Sequence, residues 1–156
     1  MAGGLYKIHE ILKANGVPFL IIGGFAVNFH GYIRATEDVD IIFRRSARSE
    51  KALFRALKSL NAYWISDEKD SLTGLEKTFP VSLPFIRAAN LMMLGTDLGF
   101  LDIYDYVPGF PQADLREIFS SSLESGGFKY VSRDWLLKMK KAAGRAKDLL
   151  DIENLS

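Results

Sequence analysis

Asp38 and Asp40 are separated by one residue in the short apolar run DVDIIF, and Asp102 stands inside a second apolar run, GFLDIYDYV. Burying a carboxylate is costly unless it is paired or meets a cation. Alternate side chains of a strand share a face, so Asp38 and Asp40 project together while Val39 and Ile41 project to the other side. Two carboxylates about 7 Å apart on one strand repel each other. A divalent cation removes that repulsion, and magnesium is usually held by one or two carboxylates together with substrate phosphates. The pair reads as a metal platform open on one side to a phosphate ligand. Asp102, between Leu101 and Ile103, is the expected third carboxylate of a two-metal site. Asp105 falls on the opposite strand face and Asp97 at an expected hairpin turn, so each is the weaker choice.

Positioning these groups requires a sheet. FLII, residues 19–22, reads as a buried strand running into Gly23-Gly24, and FAVNFHG after it as a short helix stopped by Gly31. A strand that enters a helix through two glycines lets backbone N–H groups approach an anion. Residues 38–43 form the next strand. Leu5, Ile8, Ile11 and Leu12 recur at helical spacing ahead of Gly16-Val17-Pro18, and Ser46 or Ser49 caps a helix carrying Leu53, Phe54, Leu57 and Leu60. RAANLMML and GFLDIYDYV flank GTDL as a hairpin. ADLREIFSSSL reads as a helix, and FKYV as a brief strand after Gly126-Gly127. One last helix is expected from Ser132 to the end of the chain, burying Trp135, Met139, Ala142, Ala146 and Leu149 or Leu150. Its other face would carry Lys138, Lys141, Arg145 and Asp148. Residues 61–84 show no period, and SDEKDSLTG within them reads as an exposed loop.

The 156 residues carry a formal charge of +1, which excludes a strongly basic nucleic-acid-binding body. With no cysteine and two histidines, disulfides, thiolate catalysis and a histidine-rich metal site are set aside. The N-terminal residues carry Lys7, Glu10 and Lys13 and lack a signal peptide's apolar run, and PFLIIGGFAVNF is too short to span a bilayer. The expectation is a single domain over 1–156, cytoplasmic and without a membrane partner.

With these residues in hand, the chain resembles the nucleotidyltransferases of the DNA polymerase beta superfamily, whose hallmark is a Gly-Gly turn, an Asp-x-Asp strand and a third Asp on a later strand. More narrowly, it resembles small nucleotidyltransferase-like proteins related to the abortive-infection toxin group. That likeness extends over Gly23, Gly24, Ala26, His30, Gly31, Arg34, Thr36, Asp38 and Asp40, and over residues 139–155. The resemblance implies an α/β (α+β) nucleotidyltransferase fold, a mixed twisted sheet flanked by helices. It implies transfer of a nucleoside monophosphate from a nucleoside triphosphate to a hydroxyl, dependent on magnesium or manganese held by Asp38, Asp40 and Asp102. Gly23 and Gly24 would cradle the β and γ phosphates, and Lys140, Arg145 and Lys147 would neutralise triphosphate charge. The acceptor would be an RNA 3′ end such as that of tRNA, a protein or a small molecule. The competing expectation is a partner-binding module, such as one component of a toxin–antitoxin pair, or a nucleotide-binding protein without catalysis. A cognate partner or a homodimer would complete the site.

Each residue also has a structural reading. Arg34 and Thr36 brace the loop before the strand, through Glu37 or Asp38, as readily as they contact substrate, and Asp102 could pair with Arg34 or a lysine. His30 reads as a helix-end residue and His9 as a solvated one. Tyr104 shares the face of Asp102, where core packing competes with base stacking.

Overall fold

The structure, a computed structural model, describes residues 3–155. Elements follow in the order α1 (Gly3–Ala14), β1 (Phe19–Ile22), α2 (Gly23–Phe29), β2 (Asp38–Phe43), α3 (Ala47–Ser59), β3 (Tyr63–Lys69), β4 (Glu76–Pro80), α4 (Leu83–Ala88), β5 (Leu91–Thr96), β6 (Gly99–Tyr104), α5 (Leu115–Ser120), β7 (Leu123–Ser125), β8 (Phe128–Tyr130), α6 (Arg133–Ala143) and α7 (Ala146–Leu155). The eight strands make one sheet in the order β4-β3-β5-β6-β2-β1-β8-β7. It is mixed: β2–β6 and β1–β8 are parallel, and the remaining neighbours are antiparallel.

Strand alternation divides the apolar residues into two cores. Ile21, Val39, Ile41, Phe43, Leu94, Leu101 and Ile103 pack on one face against Ile8 and Leu12 of α1, Leu53 and Leu57 of α3, and Ile86 of α4. On the other face, Leu20, Ile22 and Ile42 meet Val27 of α2, Ile118 of α5, Leu136 and Met139 of α6, and Leu155 of α7. Each such side chain stabilises the fold by about 1.5–3 kcal/mol when fully buried. Ile22 and Ile42 therefore anchor the sheet beside the acidic positions of β2. Ser46 starts α3 with a reciprocal capping box to Ser49.

Three expectations change. Residues 61–84, which show no period in sequence, are ordered: β3 and β4 form a hairpin, and α4 begins at a Ser82 cap. Of the exposed loop expected over SDEKDSLTG, only 70–74 is the hairpin turn, 66–69 being the end of β3. Trp64 stacks on Phe79 and Phe85, and that aromatic cluster holds the hairpin although β4 is exposed throughout. Secondly, the last helix is two helices, because Gly144 takes a left-handed conformation (φ +63°) that ends α6. The periodic stripe is lost there, leaving Ala142, Ala146, Leu149 and Leu150 exposed and Asp148 fully buried.

Thirdly, His9 is buried, not solvated. Its ring packs edge-on against Phe25 and Tyr6 and stacks on Phe19, and neither nitrogen has a hydrogen-bond partner among the described residues. Burial pulls its pKa from 6.5 down to about 4, so the folded protein holds it neutral. The unfolded chain protonates near 6.5. Stability from this group is therefore complete above pH 6.5 and is lost as pH falls toward 4. Between pH 7 and 5 the stability difference between wild type and His9→Leu is expected to move by about 2 kcal/mol in favour of the variant. Urea denaturation at the two pH values measures it, and an unchanged difference would show that His9 is protonated in the fold.

Candidate active site

The parallel pairing of β2 with β6 sets Asp40 opposite Asp102 and Asp38 opposite Phe100. One oxygen from each of the three carboxylates lies within 4.8 Å of the others. Burial raises the Asp40 pKa, and the charges of Asp38 and Asp102 raise it further; Asp102 is raised by burial and then by Asp38. The chain thus concentrates carboxylates that resist ionising together. A divalent cation accepts this donor set of hard oxygens and removes the repulsion. Among the described residues this is the one cluster of acids or histidines arranged to hold a metal. Tyr104, next on the same face of β6, is pushed up to about 12 by burial and by the charges of Asp40 and Asp102. Its ring is half-buried against the second core, with Tyr106 edge-on to it.

The glycine pair has a steric task. Gly23 has φ +67°, and a Cβ built on it would run into the Asp40 carboxylate. A Cβ on Gly24 would come within 2.5 Å of Thr36 Cγ2 and 3.2 Å of Arg34 Nη1. The turn is bare so that Asp40 and the 34–36 loop can close against it. Gly23→Ala adds about 1–2 kcal/mol of left-handed strain and displaces Asp40. The expected result is at least a tenfold weaker stabilisation by divalent cation, read as the shift in thermal midpoint with magnesium. An undiminished shift would separate the glycine from the acids. The Thr36 hydroxyl beside it is buried without a hydrogen-bond partner among the described residues.

A cleft of about 480 Å³ opens from the triad, with Arg34, Lys140, Arg145 and Lys147 among its walls. That is the size range of small-molecule sites. The helix break brings Lys140 and Arg145 together on one carboxylate, although an unbroken helix would point them apart. Lys140 Nζ lies 3.2 Å from Asp148 and 3.0 Å from Asp151, and Arg145 Nε 2.7 Å from Asp148. Arg34 donates to both oxygens of Asp151, from Nε at 2.7 Å and Nη2 at 2.8 Å, and from Nη1 to the Ala35 carbonyl. It braces its loop through α7, not through Glu37 or Asp38, and Asp102 sits with Asp40 and not with Arg34. Lys140 and Arg34 are thus occupied, while Arg145 is largely exposed beyond its partner. Lys147, exposed, has no acid within ion-pair distance among the described residues and lines the cleft.

Asp148 is expected on the charged outer face of one long helix and Asp151 carries no expectation; the break at Gly144 buries both instead. Burial alone would raise both pKa values, but Arg145 with Lys140, and Arg34 with Lys140, outweigh it and hold them below the ordinary carboxylate range. The available signal was an acid on each side of Leu149-Leu150, three residues apart and hence on one helix face. His30, at the end of α2, bonds the Val131 carbonyl through Nε2 at 2.8 Å, as a helix-end residue should.

No protein-family profile matches the sequence, and no curated protein is significantly similar to it. Solved structures are similar in fold. The lincosamide antibiotic adenylyltransferase LnuA, in its lincomycin-bound form, superposes with a TM-score of 0.64 at 18% identity, covering 99% of this chain and 96% of its own. The chain has the nucleotidyltransferase fold. ANT(2″)-Ia, in complex with adenylyl-2″-tobramycin, gives a TM-score of 0.56 at 13% identity over 96% of this chain and 84% of that one. An antigenic nucleotidyltransferase-like protein from Paracoccidioides brasiliensis gives 0.55 at 22% identity, over 97% and 72%. The expected mixed sheet flanked by helices is therefore this nucleotidyltransferase architecture. Among the described residues, no helix is long and apolar enough to cross a membrane.

Proposed function

We propose that this nucleotidyltransferase-fold chain transfers a nucleoside monophosphate from a nucleoside triphosphate to a hydroxyl acceptor, in a reaction that requires magnesium or manganese. The observation that carries the reading is the meeting of three mutually repelling carboxylates at the mouth of a cleft with a basic far wall. Asp38, Asp40 and Asp102 would hold the cation. When bound, it lowers the pKa of the acceptor hydroxyl and neutralises charge on the triphosphate. The acceptor hydroxyl gives up its proton to solvent, its oxygen forms a bond to the α-phosphorus, the bond from that phosphorus to the bridging oxygen breaks, and pyrophosphate leaves. Lys147 and the exposed part of Arg145 attract the polyphosphate into the cleft. Arg34 and Lys140 act one step back: they hold α7, and with it Lys147, against the loop before β2. Without a cation, the triad repels a triphosphate.

The test is a titration with each nucleoside triphosphate, with and without magnesium, beside an Asp38→Ala/Asp40→Ala variant. Cation-dependent binding that vanishes in the variant supports the reading and reports the preferred base. Absence of binding under every metal condition would leave a partner-binding module, such as half of a toxin–antitoxin pair, as the better account. The solved neighbours include proteins with an antibiotic or its adenylylated product bound, which favours a small-molecule acceptor over a transfer RNA end or a protein.

A further inference from the structure

The triad stands on a border. On the face of the sheet that bears it, α2, α5, α6 and α7 cover the β1–β2 side. On the other side of the triad, the same face carries exposed apolar groups. Met93 of β5 is paired directly with Asp102, and Gly95 with Phe100. Phe100 is 56% exposed and Met93 64%. In the next strand Tyr63 is paired with Gly95, and its ring lies so close over the glycine that a Cβ there would strike it. Ile65, two residues on and exposed, continues the face.

Phe100, Met93 and the Tyr63 ring thus make a flat apolar floor that begins at the third carboxylate. Exposed apolar side chains scattered singly need no explanation, but a contiguous set beside a polar site does. Between Asp102 and Tyr63, the strand positions on this face include neither a lysine nor an arginine to contact a nucleic-acid backbone. They include no further acid to receive a polycation.

We infer that this floor binds the acceptor, and that the acceptor is an uncharged small molecule with a hydroxyl beside an apolar or aromatic surface. The inference rests on the proposed transfer reaction and names the substrate class of that same site. An in-line displacement needs the attacking oxygen and the leaving pyrophosphate on opposite sides of the α-phosphorus. With the polyphosphate drawn to Arg145 and Lys147, the attacking hydroxyl comes from the floor side. Covering Met93 and Phe100 also strips water from beside Asp102, which strengthens electrostatic interactions there.

The experiment uses the full chain, magnesium and a triphosphate labelled at the α-phosphate. Three acceptor classes are compared: uncharged aryl and alkyl glycosides, polycationic aminoglycosides, and oligoribonucleotides with a free 3′ hydroxyl. The expected result is label transfer to the glycosides, with the acceptor KM raised at least tenfold by Met93→Lys or Phe100→Lys and restored by Met93→Leu. The KM for triphosphate moves far less. Transfer confined to aminoglycosides or oligoribonucleotides overturns the inference, as does a glycoside KM indifferent to Met93→Lys. Sedimentation of wild type and Met93→Lys covers a further outcome: a dimer that the lysine dissociates would mean a second copy occupies the floor, and overturns it too. Cation-dependent triphosphate binding is measured first. If it is present and no acceptor is labelled, the floor assignment fails alone; if it is absent, the transfer reaction fails with it.

Discussion

Changing Asp40 to asparagine lowers nucleotidyl transfer by at least about a thousandfold and makes the cation-free protein more stable at neutral pH. The first effect follows from the donor set. Asparagine keeps the shape but removes the charge that would bind cation, at the carboxylate standing opposite Asp102 and over Gly23. Losing one preorganised electrostatic partner of a transition state costs about a hundred- to a thousandfold, and here the partner would also secure the cation.

The second effect follows from the raised Asp40 pKa, caused by burial and by Asp38 and Asp102. A carboxyl whose folded pKa exceeds its unfolded value stabilises fully only below the unfolded value. That contribution is lost as pH rises through the folded pKa. Wild type without cation therefore carries a penalty at neutral pH that Asp40→Asn lacks, on the order of 4 kcal/mol. Magnesium at a hundred times its dissociation constant should stabilise wild type by about 2.7 kcal/mol and the variant far less. Urea denaturation with and without magnesium measures both arms. A variant that is less stable than wild type in the absence of cation would sink the account.

Replacing Lys140 by methionine should cost about 3–5 kcal/mol of stability, the range for breaking a buried ion pair by removing one partner. Lys140 is 6% exposed and serves two acids, Asp148 and Asp151, which are buried themselves. Removing it leaves Asp151 to Arg34 and Asp148 to an arginine that is mostly in solvent. Lys140→Met/Asp148→Asn should recover part of the loss, because one buried charge fewer is left short of partners.

The pH dependence has the opposite sign to that of Asp40. Asp148 and Asp151 are held below the ordinary carboxylate range, so their stabilisation is complete above the unfolded value and disappears as pH falls through the folded one. Lys140→Met should flatten that acid-side loss. Thermal unfolding from pH 7 to 3 tests both points, and a change below about 1 kcal/mol at pH 7, the level of an exposed pair, would show that the cluster does not anchor α7.

The parts of the site that were legible from residues alone lie on regular strands. Asp38 and Asp40 share a face because a strand alternates, and Asp102 was singled out as a charge inside an apolar run; the parallel register of β2 and β6 brings them together as those patterns require. The hairpin of β5 and β6 was announced by GTDL for the same reason. Two other features depended on tertiary context. The β3–β4 hairpin lacks alternation because β4 buries nothing, and a few aromatic contacts around Trp64 hold it. The helix break at Gly144 was invisible to a periodicity argument, since the residues beyond it obey a helical period with the opposite face inward. That face is charged, so α7 docks through Asp148 and Asp151 as well as through Leu155. His9 was misplaced because its burial is made by Phe19, Phe25 and Phe128, which are distant in sequence.

The parallel pairing of β2 with β6 also governs when the site can exist during synthesis. Its two strands are separated by the whole segment from α3 to β5. A ribosome adding 5–20 residues per second needs several seconds, at about sixty residues, to pass from Asp40 to Asp102. For that interval β2 has its β1 partner but not the strand that carries Asp102, and the repulsion of Asp102 on the pair is postponed. The clamp on Arg34 comes later still, since Asp151 lies 117 residues further on. A nascent chain therefore brings its three acids together before its basic wall, and the cleft lacks that wall until α7 has been made.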